Sequence, residues 1–180
     1  MIDAIISSKT RIKLLLKFFL NSHTRAYLRG LESEFGESSN AIRQELNRLE
    51  EAGMLTSEME GNRKYFRANT KHPLFKEIHN ILRKYIGLDR IVEQVIEKLG
   101  KVEKVFLVGE FSRGIDSPII DLLIIGDIDK QFLTELIERA EKVIRRKIRY
   151  IVYHPDEAAD IEWSRFEPQP LLLWAQTDPQ

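Results

Sequence analysis

The 180-residue sequence predicts an α+β chain, and three patterns carry that expectation. Between residues 8 and 52, three short segments place apolar side chains at helical spacing. Residues 54–67 form two flanks around a glycine-containing turn. Residues 104–153 run strand, glycine loop, strand, helix, strand, the order of a small α/β domain.

The first helix is expected over 8–20, with Ile12, Leu15, Leu16, Phe19 and Leu20 on one face and Ser7 or Ser8 as the N-cap. Asn21–Thr24 is a loop. A second helix over 25–35 would bury Tyr27, Leu28, Leu31 and Phe35 before Gly36 stops it. The third helix starts at Ser38 or Ser39, runs to about Ala52 along an Ile42, Leu46, Leu49 seam, and ends at Gly53. Met54–Met59 and Arg63–Arg67 then pair as a hairpin across Glu60-Gly61-Asn62.

After His72-Pro73, one apolar stripe runs from Leu74 to Ile86 and another from Leu88 to Leu99, with breaks at Gly87 and Gly100. The first stripe is either a dimer helix or a seam between domains. Beyond it lie strands at 104–109 and 119–125, a helix at 129–145, a strand at 147–153 and a last strand at 171–175. Asp127 and Asp129 turn the chain and cap that helix. Trp163 and Trp174, with Phe166, Pro168 and Pro170, read as core cover.

Composition narrows the function classes. Hydrophobic residues make up 43% of the chain, enough for packed cores, and the formal net charge is zero. Residues 1–70 carry 11 Lys/Arg against 9 Asp/Glu, a small positive balance that the remainder reverses. With no cysteine, disulfides and thiolate metal sites are excluded and the expected location is the cytoplasm. No apolar run reaches the roughly 20 residues of a membrane helix. His23, His72, His79 and His154 share no ligand spacing.

The stretch from Thr10 to Asn69 resembles the ArsR/MarR-like winged helix-turn-helix regulators, most closely over Ser38–Leu55. That resemblance implies a partner of double-stranded DNA, and a homodimer is expected because one winged helix buries little DNA surface and two-fold symmetry doubles the contacts. Ser39, Asn40, Arg43, Gln44 and Asn47 lie opposite the apolar seam, where Arg can fork onto guanine and Asn or Gln onto adenine. Arg48 is a phosphate candidate on the flank, and Arg63 and Lys64 leave the tip of the wing.

Val105–Gly114 followed by Ile119–Gly126 resembles the signature of the minimal, Pol-beta-like nucleotidyltransferases. In that family a glycine loop approaches the triphosphate, and three carboxylates hold two metal ions. Gly109, Ser112, Arg113 and Gly114 fit the loop, although Glu110 stands where serine is usual. Asp121 aligns as the second acid, with Ile119 as the first, or as the first, with Leu123 as the second. The later strand offers Arg149 or Tyr150 in place of the third acid.

Together these readings give an N-terminal winged helix-turn-helix over 1–70, a helical connector over 71–100 and a small α/β nucleotidyltransferase-like domain over 101–180. The expected function is a DNA-binding transcriptional regulator whose second domain is catalytically inactive and serves sensing, dimerisation or partner contact. The chain is expected not to be an enzyme and to need neither metal nor cofactor. Gly109, Ser112, Arg113, Gly114 and Asp121 are either a nucleotide-binding remnant, for a nucleotide or phosphorylated small-molecule effector, or the turn between two buried strands. The alternatives are an active nucleotidyltransferase targeted by the winged helix and an antitoxin-like protein-interaction adaptor.

Overall fold

The computed structural model describes residues 2–167 and 169–176. Pro168 and the outer ends of the expected first and last domains lie outside the described residues. The fold is mixed α+β with two sheets. The chain divides into two compact units: residues 1–85 with 113–116, and residues 86–112 with 117–180.

In the first unit, α1 (Lys9–Leu15) continues as a π-helical segment, Leu16–Leu20. The Ser8 hydroxyl caps α1 by accepting from the Arg11 amide. The expected second helix starts late. Ala26–Tyr27 is a short strand, β1, and α2 covers Leu28–Phe35. Ala26 and Tyr27 are drawn out of helix by pairing with Phe66 and Tyr65, so ladder hydrogen bonds prevail over local periodicity. Within α2 only Leu31 is buried. Gly36 ends it at φ 62, a left-handed stop that glycine tolerates.

Helix α3 spans Ser39–Glu51 and is capped by Ser38. Its seam of Ile42, Leu46 and Leu49 is buried, as the spacing predicts. Strands β2 (Leu55–Glu60) and β3 (Arg63–Ala68) form the hairpin, and the sheet order is β1-β3-β2, antiparallel throughout. Phe18, Phe19, Leu31, Ile42, Leu46 and Leu55 centre the core. Helix α4 (Phe75–Ile86) follows, with Leu82 buried and Leu74 and Ile81 exposed beside or on it.

Residues 113–116 belong to this first unit. Gly114, at φ 76, lies so near Lys17 that an added Cβ would meet the Lys17 Cα at 2.2 Å. Tyr85 donates to the Asp116 carboxylate at 3.0 Å.

The second unit begins with α5 (Leu88–Ile91), a π-helical segment (Val92–Ile96) and α6 (Glu97–Leu99). Strand β4 (Val102–Val108) leads into α7 (Gly109–Ser112), a helical turn where sequence suggested open loop. Strand β5 (Ile119–Gly126), α8 (Lys130–Ile144) and β6 (Lys147–Tyr153) follow. Asp129 caps α8, accepting from the Gln131 and Phe132 amides. Strand β7 (Leu171–Ala175) completes the sheet, whose order is β6-β5-β4-β7. β5 and β6 are parallel, the arrangement a helical crossover permits, and the other pairs are antiparallel.

β5 is buried from Ile120 to Gly126. An apolar run of this kind suits a strand covered on both faces. α8 buries Leu133, Leu136, Ile137 and Ala140. A separate apolar cluster joins Leu123, Ile125 and Ile161 to Phe106, Tyr153 and Phe166. Trp163 rests against Phe106 with ring centroids 4.9 Å apart, consistent with core cover.

Candidate functional site

The exposed side of α3 assembles the residues expected to read DNA. Asn40, Arg43, Gln44, Asn47 and Arg48 are exposed, and Ser39 is half-buried. Arg43 and Asn47 join Arg63 and Lys64 around a cleft of about 550 Å³, which also takes Arg29 from α2 and Asn62 from the hairpin turn. Sequence reasoning did not single out Arg29 or Asn62 for this face. Their only signal was polar character, and α2's position against β3 depends on a two-residue strand that periodicity does not reveal.

The cations of this face differ in availability. Arg29 and Arg43 form no ion pair among the described residues. The Arg63 guanidinium lies over the Tyr27 ring, 4.9 Å from its centroid. Lys64 pairs with Glu50 at 2.7 Å, so an incoming phosphate competes with a carboxylate for it. Arg25 is bound to Glu58 and Glu60 and stacks on Tyr65 at 3.9 Å. That leaves an acidic strand β2 beside the more basic β3.

Glu45 and Glu50 do not oppose DNA as free charges. Glu45 is buried, accepting from Arg11 Nε at 2.8 Å and from Arg48 at 3.3 Å. Burial pulls its pKa upward, but hydrogen bonds from Arg11 and Ser8 and the nearby guanidiniums outweigh that and hold it below the ordinary 4.5. Glu37 is likewise desolvated but pulled down by Lys13 and Thr10. Glu50 is lowered by Lys64 and Ser57.

These three folded values lie below the unfolded ones. Their stabilisation is therefore complete above pH 4.5 and is withdrawn as pH falls through the folded values. The urea midpoint of the first unit is expected to fall between pH 6 and pH 3. Glu45→Gln is expected to flatten that dependence. An unchanged slope in the variant would remove Glu45 from the account.

In the second unit, Val108 is opposite Asp121 on one side, and Arg149 is level with it on the other. Arg149 donates from Nε to the buried Asp121 carboxylate. This places Arg149, rather than Tyr150, beside the acid. Gly109 has φ 68, and a Cβ there would come within 2.4 Å of Asp121 Oδ2. Only glycine lets the chain turn this close to the carboxylate.

The other loop residues do not gather around Asp121 as free phosphate donors. Ser112 is buried and its hydroxyl donates to the Gly109 carbonyl at 2.7 Å. Arg113 and Gly114 belong to the first unit. Ile119 is half-buried, and Leu123 sits in the apolar cluster.

Two divalent ions require several oxygen ligands in one place. Among the described residues no group of three or more His, Cys, Asp or Glu could hold a metal ion. The side chain next to Asp121 is cationic, so the residues present do not fit a two-metal pair. Among the described residues, no helix is long and apolar enough to cross a membrane.

No family model matches the chain, and no curated protein matches it. Among solved structures it is similar to a candidate nucleotidyltransferase from Sulfolobus solfataricus, at 23% identity and TM-score 0.38, covering 55% of this chain and 86% of that one. It is also similar to a structure of the tri-AMPylated Shewanella oneidensis HEPN toxin in complex with the MNT antitoxin, at 14% identity and TM-score 0.38, covering 50% of this chain and 71% of that one. These neighbours correct one expectation from sequence. The chain was expected not to be an enzyme, and a protein it resembles bears the name of one, so that exclusion is withdrawn. Likenesses this distant assign no activity, and the functional reading rests on the residues themselves.

Proposed function

We propose that the first unit binds duplex DNA and that the chain regulates transcription as a homodimer. The observation that carries this reading is the cationic cleft between α3 and the β2–β3 hairpin, lined by Asn47 and by Arg43, which forms no ion pair among the described residues. The element order and the β1-β3-β2 sheet support the winged-helix reading. In such a docking, α3 enters the major groove and the hairpin meets the backbone.

Binding of the full chain to fragments of its own upstream region, followed by fluorescence anisotropy across a salt series, tests this. Affinity is expected to fall steeply with salt as phosphate contacts are screened. Arg43→Ala is expected to lose about 1–3 kcal/mol, mainly at one base position. Arg63→Ala is expected to weaken all duplexes similarly. Indifference to every duplex at low salt would sink the proposal and turn the cleft into a protein-contact surface.

A second reading is favoured by the close approach of Gly109 to the Asp121 carboxylate. In it the second unit takes a nucleoside triphosphate with Arg149 on its phosphates; an acceptor hydroxyl attacks the α-phosphorus, Asp121 accepts its proton, and the α–β phosphoanhydride bond breaks to release pyrophosphate. No step is assigned to a metal. Incubation with labelled ATP and Mg²⁺, followed by a search for label on protein or small-molecule acceptors, tests it.

A further inference from the structure

We propose that the end of α8 and the start of β6 form a second binding surface, one that takes the backbone phosphates of nucleic acid regardless of base sequence. The reading stands whether or not the first unit reads DNA.

An open cleft of about 570 Å³ is lined there by four cations, Lys142, Arg145, Arg146 and Lys147, and by two carboxylates, Glu138 and Glu141. The carboxylates do not cancel the cations evenly. Glu141 is consumed internally, accepting from Lys147 at 2.6 Å and from the Ile148 amide at 2.8 Å. Arg146 donates to the Ser117 carbonyl and lies 5.2 Å from the Phe111 ring centroid, which holds it in place. Lys142 and Arg145 are exposed and form no ion pair among the described residues. They are the charges available to a ligand.

Helix electrostatics alone do not explain this surface. The carbonyls ending a helix carry roughly half a negative charge, which favours a cation such as Lys142 in the last turn. That partial charge and the exposed carboxylate of Glu138 both repel a phosphate, and the three cations Lys142, Arg145 and Arg146 together outweigh them. The informative residue is Arg145. It ends α8 in the left-handed region at φ 57, its amide donating to the Glu141 carbonyl. Among the described residues every other positive φ belongs to glycine, at seven positions. At Gly36, Gly61 and Gly100 an added Cβ would meet nothing within 4 Å, so backbone alone decides there and the chain supplies glycine, whereas here it keeps an arginine. A left-handed conformation kept at an exposed arginine points to use of that side chain.

The full chain is titrated with a labelled duplex of unrelated sequence over a salt series. Four proteins are compared: wild type, Arg43→Ala/Arg63→Ala, Lys142→Gln/Arg145→Gly, and the quadruple variant. Arg145→Gly relieves the backbone, so its urea midpoint is not expected to fall, and a binding loss cannot be blamed on unfolding. The variant lacking the first-unit arginines is expected to retain weak, sequence-indifferent binding. The quadruple variant is expected to lose about tenfold more affinity at low salt and to lower the salt slope by about 2, one for each phosphate contact removed.

An unchanged slope and affinity would overturn the proposal. So would a loss seen only with vesicles containing phosphatidylserine, which would make the surface a lipid contact. If Lys142→Gln/Arg145→Gly weakens binding and Arg43→Ala/Arg63→Ala does not, this proposal stands and DNA reading by the first unit falls.

Discussion

Gly114→Ala is expected to destabilise the first unit by roughly 3 kcal/mol, close to the upper end for a single methyl group. Two costs combine. An alanine at φ 76 pays about 1–2 kcal/mol for the left-handed conformation. Its Cβ would also lie 2.2 Å from the Lys17 Cα and 2.7 Å from the Lys17 nitrogen. Those neighbours are backbone atoms, so relief requires moving a helix rather than a rotamer, and overpacking of this kind costs about 1–3 kcal/mol. Gly36→Ala is the control, because Gly36 has φ 62 but nothing within 4 Å of its added Cβ. It is expected to cost only the conformational share, about 1 kcal/mol. Urea midpoints for the two variants measure the difference. Equal midpoints would show that Gly114 matters for its torsion alone.

On the enzymatic reading, in which the Asp121 carboxylate serves as base, Asp121→Asn is expected to lower label transfer by at least about a hundredfold. The substitution keeps the shape of the side chain at its position between Val108 and Arg149. Arg149 is 72% exposed, so water can solvate it once the charge opposite is gone. The fold is therefore expected to survive, and circular dichroism and the urea midpoint should stay near wild type. Wild-type protein that transfers no label to any acceptor removes the enzymatic reading. Transfer that persists in the variant removes Asp121 from it.

Much of this architecture was written in local pattern. The Ile42, Leu46, Leu49 seam, the Ser8 and Ser38 caps and the Asp129 cap all follow from spacing and side-chain chemistry. The central strand β5 announces itself as an apolar run interrupted only by Asp121. What stayed hidden depends on partners distant in sequence. Ala26–Tyr27 became a strand because β3 lies beside it. Glu45 faced inward because Arg11, 34 residues earlier, reaches its carboxylate.

The glycine motif shows the same limit more sharply. Phosphate loop and simple turn were the two readings of Gly109–Gly114. The structure divides the motif instead. Gly109 makes room for an acid, and Gly114 makes room for the backbone of Lys17. Glycine spacing signals that something comes close, and it does not say what.

The placement of β7 has a consequence for how the protein is made. β7 supplies the outer neighbour of β4, yet β4 is complete at residue 108 and β7 begins at residue 171. At about 5–20 residues per second, the ribosome needs roughly 2.5–10 s to go from the end of β5 to the end of β7. During that interval the backbone N–H and C=O groups along the outer edge of β4 lack the partner β7 supplies, and an unpaired edge is a template for other chains. Slower translation or a higher local concentration of nascent chains should therefore raise aggregation of the second unit before any change in the finished protein's stability is felt.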